Sequence, residues 1–192
     1  ANGGPEDHRF KLIFLSRVSR EKKLDYALSV LQHVASDVVF DIYGPQEDPD
    51  YWRECQALIE VLPAHIRVNY CGNVMPEDVR RTFSDYDLFF FPTRGENYGH
   101  VIAESISAGT PVLLSDQTPW RDLESEGLGW DLPLRDPQAF AEKIDHFAAI
   151  PAEERDARRP GIYAKALEKL TDQAAIQANK DLFLSVLKTK AL

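Results

Sequence analysis

Glu96 and Glu104 stand eight positions apart in the stretch "PTRGENYGHVIAESISAGTPVLLSD" (92–116), with Gly95, Gly99 and His100 around them. A carboxylate accepts hydrogen bonds from two neighbouring hydroxyls of a sugar ring, so two carboxylates in one cleft suit two sugars, or one sugar and one ribose. Gly95 and Gly99 give the backbone conformations other residues avoid and let a ligand approach closely. Gly99 and His100 fall where a helix would start, and the free N–H groups of such a start attract an anion such as a diphosphate. His100 and Glu104, four apart, share a helix face, while Val101, Ile102, Ser105 and Ile106 are expected to face the core. The glutamate spacing alone carries little weight, and His100 alone fits a helix-start residue better than a catalyst.

A second group lies upstream in "SRVSREKKLD" (16–25). Over 17–23 it sets Arg17, Arg20, Lys22 and Lys23 against a single acid, Glu21. Arginine offers phosphate oxygens a planar fork and lysine a mobile point charge. A clamp on phosphate is one reading. A solvated helix start is the other, although cations are slightly unfavourable there because of the helix dipole.

The elements that must position these residues alternate. Strands are expected at 10–17, 38–44, 66–72, 88–93 and 111–116, with a weaker sixth near 130–134. Helical spacing of apolar residues fills the intervals, including Leu24, Ala27, Leu28, Leu31 and Val34, then Trp52, Cys55, Ile59 and Leu62, then 76–86 and 99–108. The strand "LFFFPT" is apolar on both faces and belongs in the middle of a sheet. Beyond Asp136 the pattern is all helical, over 137–150, 152–170 and 172–187, with Pro160-Gly161 expected to break or kink the second of these. Such alternation predicts an α/β fold: a Rossmann-like three-layer α/β/α domain over 10–192, with a mostly parallel six-stranded sheet, extra C-terminal helices and a flexible lead-in at 1–9. Ligands then bind outside the carboxyl ends of the strands, at the loops after Leu15, Tyr43, Cys71, Phe91 and Leu114.

Composition narrows the partners. The 192 residues carry a net charge of −9, which argues against a nucleic-acid partner. No apolar run approaches a membrane span, and the first residues do not read as a signal peptide. Cys55 and Cys71 fit no metal spacing and read as small core residues of a reducing, cytoplasmic compartment, with a disulfide between them left open. No G-x4-G-K-[ST] is present, and "GLG" at 127–129 is too short for a dinucleotide site.

Taken together, three segments resemble the donor-binding, carboxyl-terminal half of the family-four, or group 1, glycosyltransferases of GT-B fold. They are "SRVSREKKLDYALSVL" (16–31), "CGNVMPEDVRRTFSDYDLFFFPT" (71–93) and "FFFPTRGENYGHVIAESISAGTPVLLSD" (89–116), the last holding an E-x7-E motif. The resemblance covers roughly 10–150. It implies a retaining transferase that moves a hexose-type sugar from a UDP- or GDP-sugar without a metal or other cofactor. By the same carry-over, Arg17 and Lys22 hold the diphosphate, Glu96 the sugar hydroxyls and Glu104 the ribose. The loop Asn97, Tyr98, Gly99 and His100 faces sugar and phosphate, Val74 meets the base, and Ser16 stands where the family has glycine before the arginine. Lys23 likewise replaces a common glycine, and "SDQTPWRDL" (115–123) a glycine-rich loop, leaving Trp120 either to cover the donor or to pack. The acceptor sugar or lipid-linked glycan would bind an amino-terminal domain for which the chain has no room, and the fragment alone is expected to be inactive. Peripheral membrane association is expected of a full-length enzyme only. Tyr163, Leu167, Phe183 and Leu187 are then expected to be partly exposed or repacked. A GT-B-like sugar-nucleotide epimerase and a non-catalytic α/β binding module are the alternatives.

Overall fold

The structure is a computed structural model that describes residues 9–189, with side chains through Asp172. Residues 1–8 of the expected lead-in and the side chains of Phe183 and Leu187 lie outside these. Among the described residues six strands form one sheet: β1 (Phe10–Leu15), β2 (Val38–Tyr43), β3 (Ile66–Gly72), β4 (Leu88–Phe91), β5 (Val112–Ser115) and β6 (Gly129–Leu132). Their order is β3-β2-β1-β4-β5-β6, and every pairing is parallel. The order reverses between β1 and β4, so the crevice for a ligand opens where those two strands end.

Among the described residues seven helices connect and cover the sheet: α1 (Leu24–Leu31), α2 (Pro49–Glu60), α3 (Val79–Ser84), α4 (His100–Ser107), α5 (Leu123–Glu126), α6 (Pro137–Ala148) and α7 (Ala152–Thr189). A 3-10 turn at Pro76–Asp78 leads into α3. Leu88, Phe89, Phe90 and Phe91 are all fully buried, as the middle position of β4 requires. Alternate side chains serve the two layers. Phe90 meets Phe40 of β2 and Phe140 of α6, with Tyr26 of α1 against Phe140, on one face. Phe89 packs on Phe83 of α3 on the other, at 4.9 Å between ring centres.

Four expectations change. Pro160-Gly161 does not break its helix, and 152–189 is one continuous element. Ile162 and Ala166 are buried against the core, which keeps the helix going past the missing N–H. Thr171 stays in the helix, its hydroxyl donating to the Leu167 carbonyl at 2.7 Å one turn back. Cys71 is exposed at the end of the edge strand β3, whereas Cys55 is buried, and both are free thiols. Val101 is only half-buried, unlike Ile102, Ser105 and Ile106. The four-residue α5 has no periodicity long enough to be read from sequence. Tyr163 and Leu167 are exposed as expected, at 38% and 47%. Among the described residues no helix is long and apolar enough to cross a membrane.

Candidate functional site

The loops after β1 and β4 meet at the reversal of strand order, and backbone geometry stitches them together. The Arg94 N–H donates to the Glu21 carbonyl at 2.9 Å. Thr93 closes its own turn, its hydroxyl donating to the Gly95 carbonyl at 2.8 Å and accepting from the Gly95 N–H at 3.2 Å. The Ser115 hydroxyl at the end of β5 donates to the Thr93 carbonyl. Three successive strand ends are thereby fixed to one another.

Lys22 lies at the centre of this junction and is only 6% exposed. Its ammonium donates to Glu96 Oε2 at 2.9 Å and to the Gly95 carbonyl at 3.1 Å, and sits 5.7 Å over the Phe91 ring. The two residues are 74 positions apart in the chain. Lys23, the next residue, takes a left-handed conformation at φ 59° and caps α1. That backbone state explains why a glycine suits the position. Here a lysine holds it, with its ammonium on Asp25 Oδ2 at 2.9 Å.

The basic loop is not an unpaired island. Arg17 meets Glu47 Oε2 at 3.2 Å, and Arg20 meets Glu54 Oε1 at 2.6 Å. Glu47 and the N-cap of α2, Asp48, belong to the loop after β2, which the parallel β1–β2 pairing brings alongside. Ser16 lies in the same turn, its N–H donating to the Tyr43 carbonyl at 3.0 Å. Gly44 is held to glycine there, since a Cβ would fall 1.9 Å from the Ser16 carbonyl oxygen. Val74 is half-buried on the loop after β3.

Downstream, α4 begins at Gly99, which caps it at φ 73° with no side chain bonded to the free N–H groups of the first turn. Beneath it lies Trp120, only 2% exposed, whose indole N–H donates to the Tyr98 carbonyl at 3.2 Å. A Cβ on Gly99 would approach Trp120 Nε1 to 2.5 Å. Trp120 therefore packs, supporting the loop from below. Asn97 and Tyr98 are exposed on that loop, and Tyr98 stacks on His100 at 5.0 Å between ring centres. Glu104 lies on the open face of α4 with no hydrogen bond or ion pair among the described residues. Partial burial raises its carboxyl above the ordinary range, and the nearby His100 pulls partly the other way.

The structure thus brings Lys22, Gly95 and Glu96 into contact, places the α4 start one loop further on, and leaves Arg17 beside them on Glu47. Such an arrangement can hold a polyanion at the helix start and the lysine while a carboxylate orients hydroxyls. Sequence reasoning missed the Lys22–Glu96 pair and the acids that match the basic loop. The strand order supplies the signal for the second, because the loop after Tyr43 must sit beside the loop after Leu15. Among the described residues, no cluster of three or more His, Cys, Asp or Glu side chains has metal-site geometry.

Residues 2–166 match the family of glycosyl transferases group 1. The putative colanic acid biosynthesis glycosyltransferase WcaL of Salmonella typhimurium is 25% identical over 191 residues, covering 93% of this chain and 45% of that protein. The phosphatidyl-myo-inositol mannosyltransferase of Mycobacterium leprae is 29% identical over 140 residues, 69% of this chain and 36% of that protein. Among solved structures, Anabaena HepE in complex with UDP and glucose superposes with a TM-score of 0.72 at 21% identity, over 90% of this chain and 49% of that one. The chain spans less than half the length of these curated relatives.

Proposed function

The chain belongs to the glycosyl transferases of group 1, and from that premise we propose that it forms the donor side of a retaining transferase. The donor is a UDP- or GDP-sugar, and the group moved is of hexose type. The observation that carries this reading is the Lys22–Glu96 contact at the reversal of strand order, one loop from the uncapped start of α4. An ammonium has three donors. Two are engaged by Glu96 and Gly95, which leaves the third for a phosphate oxygen while Glu96 is free to take sugar hydroxyls.

The difficulty of the reaction is the negative charge that grows on the nucleoside diphosphate as the glycosidic bond breaks. Lys22, Arg17 and the first-turn N–H groups at Gly99 stabilise that charge, and electrostatic preorganisation of this kind needs no metal. Glu104, on the same helix one turn on, takes the ribose hydroxyls. Tyr98, Asn97 and His100 line the sugar and phosphate side, while Val74 and Ser16 border the base and diphosphate. HepE, solved with UDP and glucose bound, supports a nucleotide and a sugar as the ligands of such a site. The acceptor, a sugar or a lipid-linked glycan, binds a facing amino-terminal domain, consistent with a chain that spans less than half of its relatives. Without that domain water is not excluded, and the chain alone transfers little. The reaction takes place on the cytoplasmic side, with any membrane contact made by the whole enzyme.

The test is a thermal-shift screen against UDP-, GDP- and ADP-sugars, followed by calorimetry on Glu104→Ala. The expected result is saturable binding of one nucleotide class, with UDP or GDP weakened more than pyrophosphate by the substitution. No shift with any nucleotide rejects the reading in favour of a non-catalytic module. Equal losses for nucleotide and pyrophosphate remove Glu104 from the ribose.

A further inference from the structure

Beside the donor crevice, the loops after β4, β5 and β6 border an open, shallow hollow. It measures about 400 Å³ and is lined by Arg94, Asp116, Gln117, Pro133, Leu134 and Arg135. That volume falls in the range of small-molecule sites and exceeds what one inorganic anion fills. Arg94 is two residues from Glu96 on a loop already pinned by its own N–H to Glu21. The cleft therefore adjoins the end of the donor site where the sugar would lie.

Its charge differs from the rest of this edge. Every cation of the loop after β1 has a carboxylate partner. Arg94 and Arg135 have none among the described residues, and neither guanidinium makes a hydrogen bond there. The acids nearby are already committed. Asp116 Oδ1 accepts from the Gln117 amide at 2.6 Å. Asp131 faces Arg121 at 3.2 Å and accepts from the Leu123 N–H at 3.1 Å. Asp136 caps α6 through the Ala139 N–H at 3.1 Å. Two planar cations against the single carboxylate of Asp116 leave the cleft positive, in a chain whose net charge is −9. Pro133 and Leu134 supply an apolar wall of the kind that packs on a pyranose face, and the second Asp116 oxygen and the Gln117 carbonyl can accept from its hydroxyls.

We propose that this cleft is a subsite for an anionic sugar, in which Arg94 and Arg135 hold a carboxylate or phosphate substituent through charge-assisted hydrogen bonds. The inference deepens the donor-site reading and rests on it for the placement of the sugar ring. The anion comes either with the transferred sugar or with the acceptor.

The experiment is an NMR titration of the isotope-labelled 192-residue chain with glucose 6-phosphate, glucuronate and glucose, repeated on Arg94→Gln and Arg135→Gln. The two charged sugars are expected to shift resonances around Arg94 and Arg135, with glucose doing so far more weakly. Each variant should weaken the charged sugars about tenfold, the worth of one charge-assisted hydrogen bond. Calorimetry with UDP-glucuronate and UDP-glucose then separates the sources. A preference for UDP-glucuronate that disappears in either variant assigns the anion to the transferred sugar. Equal donor affinities, with glucose 6-phosphate still binding beside UDP-glucose and lost in the variants, assign it to the acceptor. Glucose binding as well as its 6-phosphate, or wild-type affinity in both variants, overturns the subsite. Absence of UDP, GDP and ADP binding alongside intact, arginine-dependent sugar-phosphate binding would reject the donor reading and leave the subsite standing.

Discussion

Arg17 is the residue whose role depends most on its neighbour. Its guanidinium rests on Glu47, and both side chains are about half exposed, at 52% and 44%. An ion pair so open to water is worth about 0–1 kcal/mol. Releasing Arg17 to a diphosphate is therefore cheap, and Glu47 acts as a weak internal competitor for it. Glu47→Gln should tighten UDP or GDP binding about twofold to fivefold, and Arg17→Ala should weaken it by about 1–2 kcal/mol. Calorimetry showing both variants shifted in the same direction would dissociate Glu47 from the site. Glu104 makes the complementary case, a residue held at some cost to the fold. Burial lifts its carboxyl above the ordinary range, so the folded chain binds that proton more tightly than the unfolded chain. This group's contribution is then favourable below the unfolded value, near pH 4.3, and is lost as pH rises through the folded one. Glu104→Gln should raise the Tm slightly at pH 7 and leave it unchanged below about pH 4. Melting curves with no pH dependence in the difference would remove the burial cost.

At the scale of elements, the start of α4 is fixed by two constraints on one residue. Gly99 has φ 73°, which costs an L-residue about 1–2 kcal/mol, and a Cβ there would collide with the indole of Trp120. Gly99→Ala should lower stability by about 2–4 kcal/mol, adding backbone strain to overpacking. Trp120→Leu carries its own core loss, so the comparison is a double-mutant cycle: in the Trp120→Leu background Gly99→Ala should cost only the backbone part in denaturant melts. The same cost of Gly99→Ala in both backgrounds would mean that Trp120 is not the obstacle. The glycine itself was legible in the sequence, as a loop residue whose backbone takes conformations others avoid. The tryptophan beneath it was not, because its partner is 22 positions away and no local pattern names it. The same distinction runs through the fold. β1 to β5 show as apolar runs and α1, α2 and α6 as 3.6-residue periodicity, since those signals are local. The Lys22–Glu96 pair, the Glu47 partner of Arg17 and the Arg94–Arg135 cleft are products of strand order. That order brings distant loops to one edge without leaving a mark in either loop. Pro160 misled for the converse reason: a local breaker was overruled by the burial of Ile162 and Ala166 further along the same helix.

In the molecule as a whole, the two edges of the sheet carry separate tasks. The carboxyl edge holds the crevice, and α7 anchors the amino edge, where β1, β4 and β5 begin. Arg155 joins Asp87 at 3.0 Å, with both side chains nearly buried at 10% and 15%, and covers the Phe10 ring at 5.1 Å. Asp87 also accepts from the Lys11 N–H at 2.8 Å, so the same carboxylate ties β1 to the residue before β4. Arg159 adds hydrogen bonds to the Tyr86 carbonyl at 2.7 Å and the Thr110 hydroxyl at 3.2 Å, and its Cβ lies 3.0 Å from where a Cβ on Gly109 would sit. Removing one partner of a buried pair leaves the other charge desolvated, and here the Lys11 N–H compensates only in part. Arg155→Ala should therefore cost about 2–4 kcal/mol, read as a lower urea midpoint at constant slope. A strand of six residues separates this anchor from the ligand edge by about 20 Å, beyond the Debye length at physiological salt. Nucleotide affinity measured under conditions where the variant stays folded should accordingly match the parent chain, whereas Arg17→Ala should leave the urea midpoint alone and lower affinity. If Arg155→Ala instead weakened nucleotide binding while the protein remained folded, α7 would be coupled through the sheet to the crevice, and the division between an anchoring edge and a binding edge would fail.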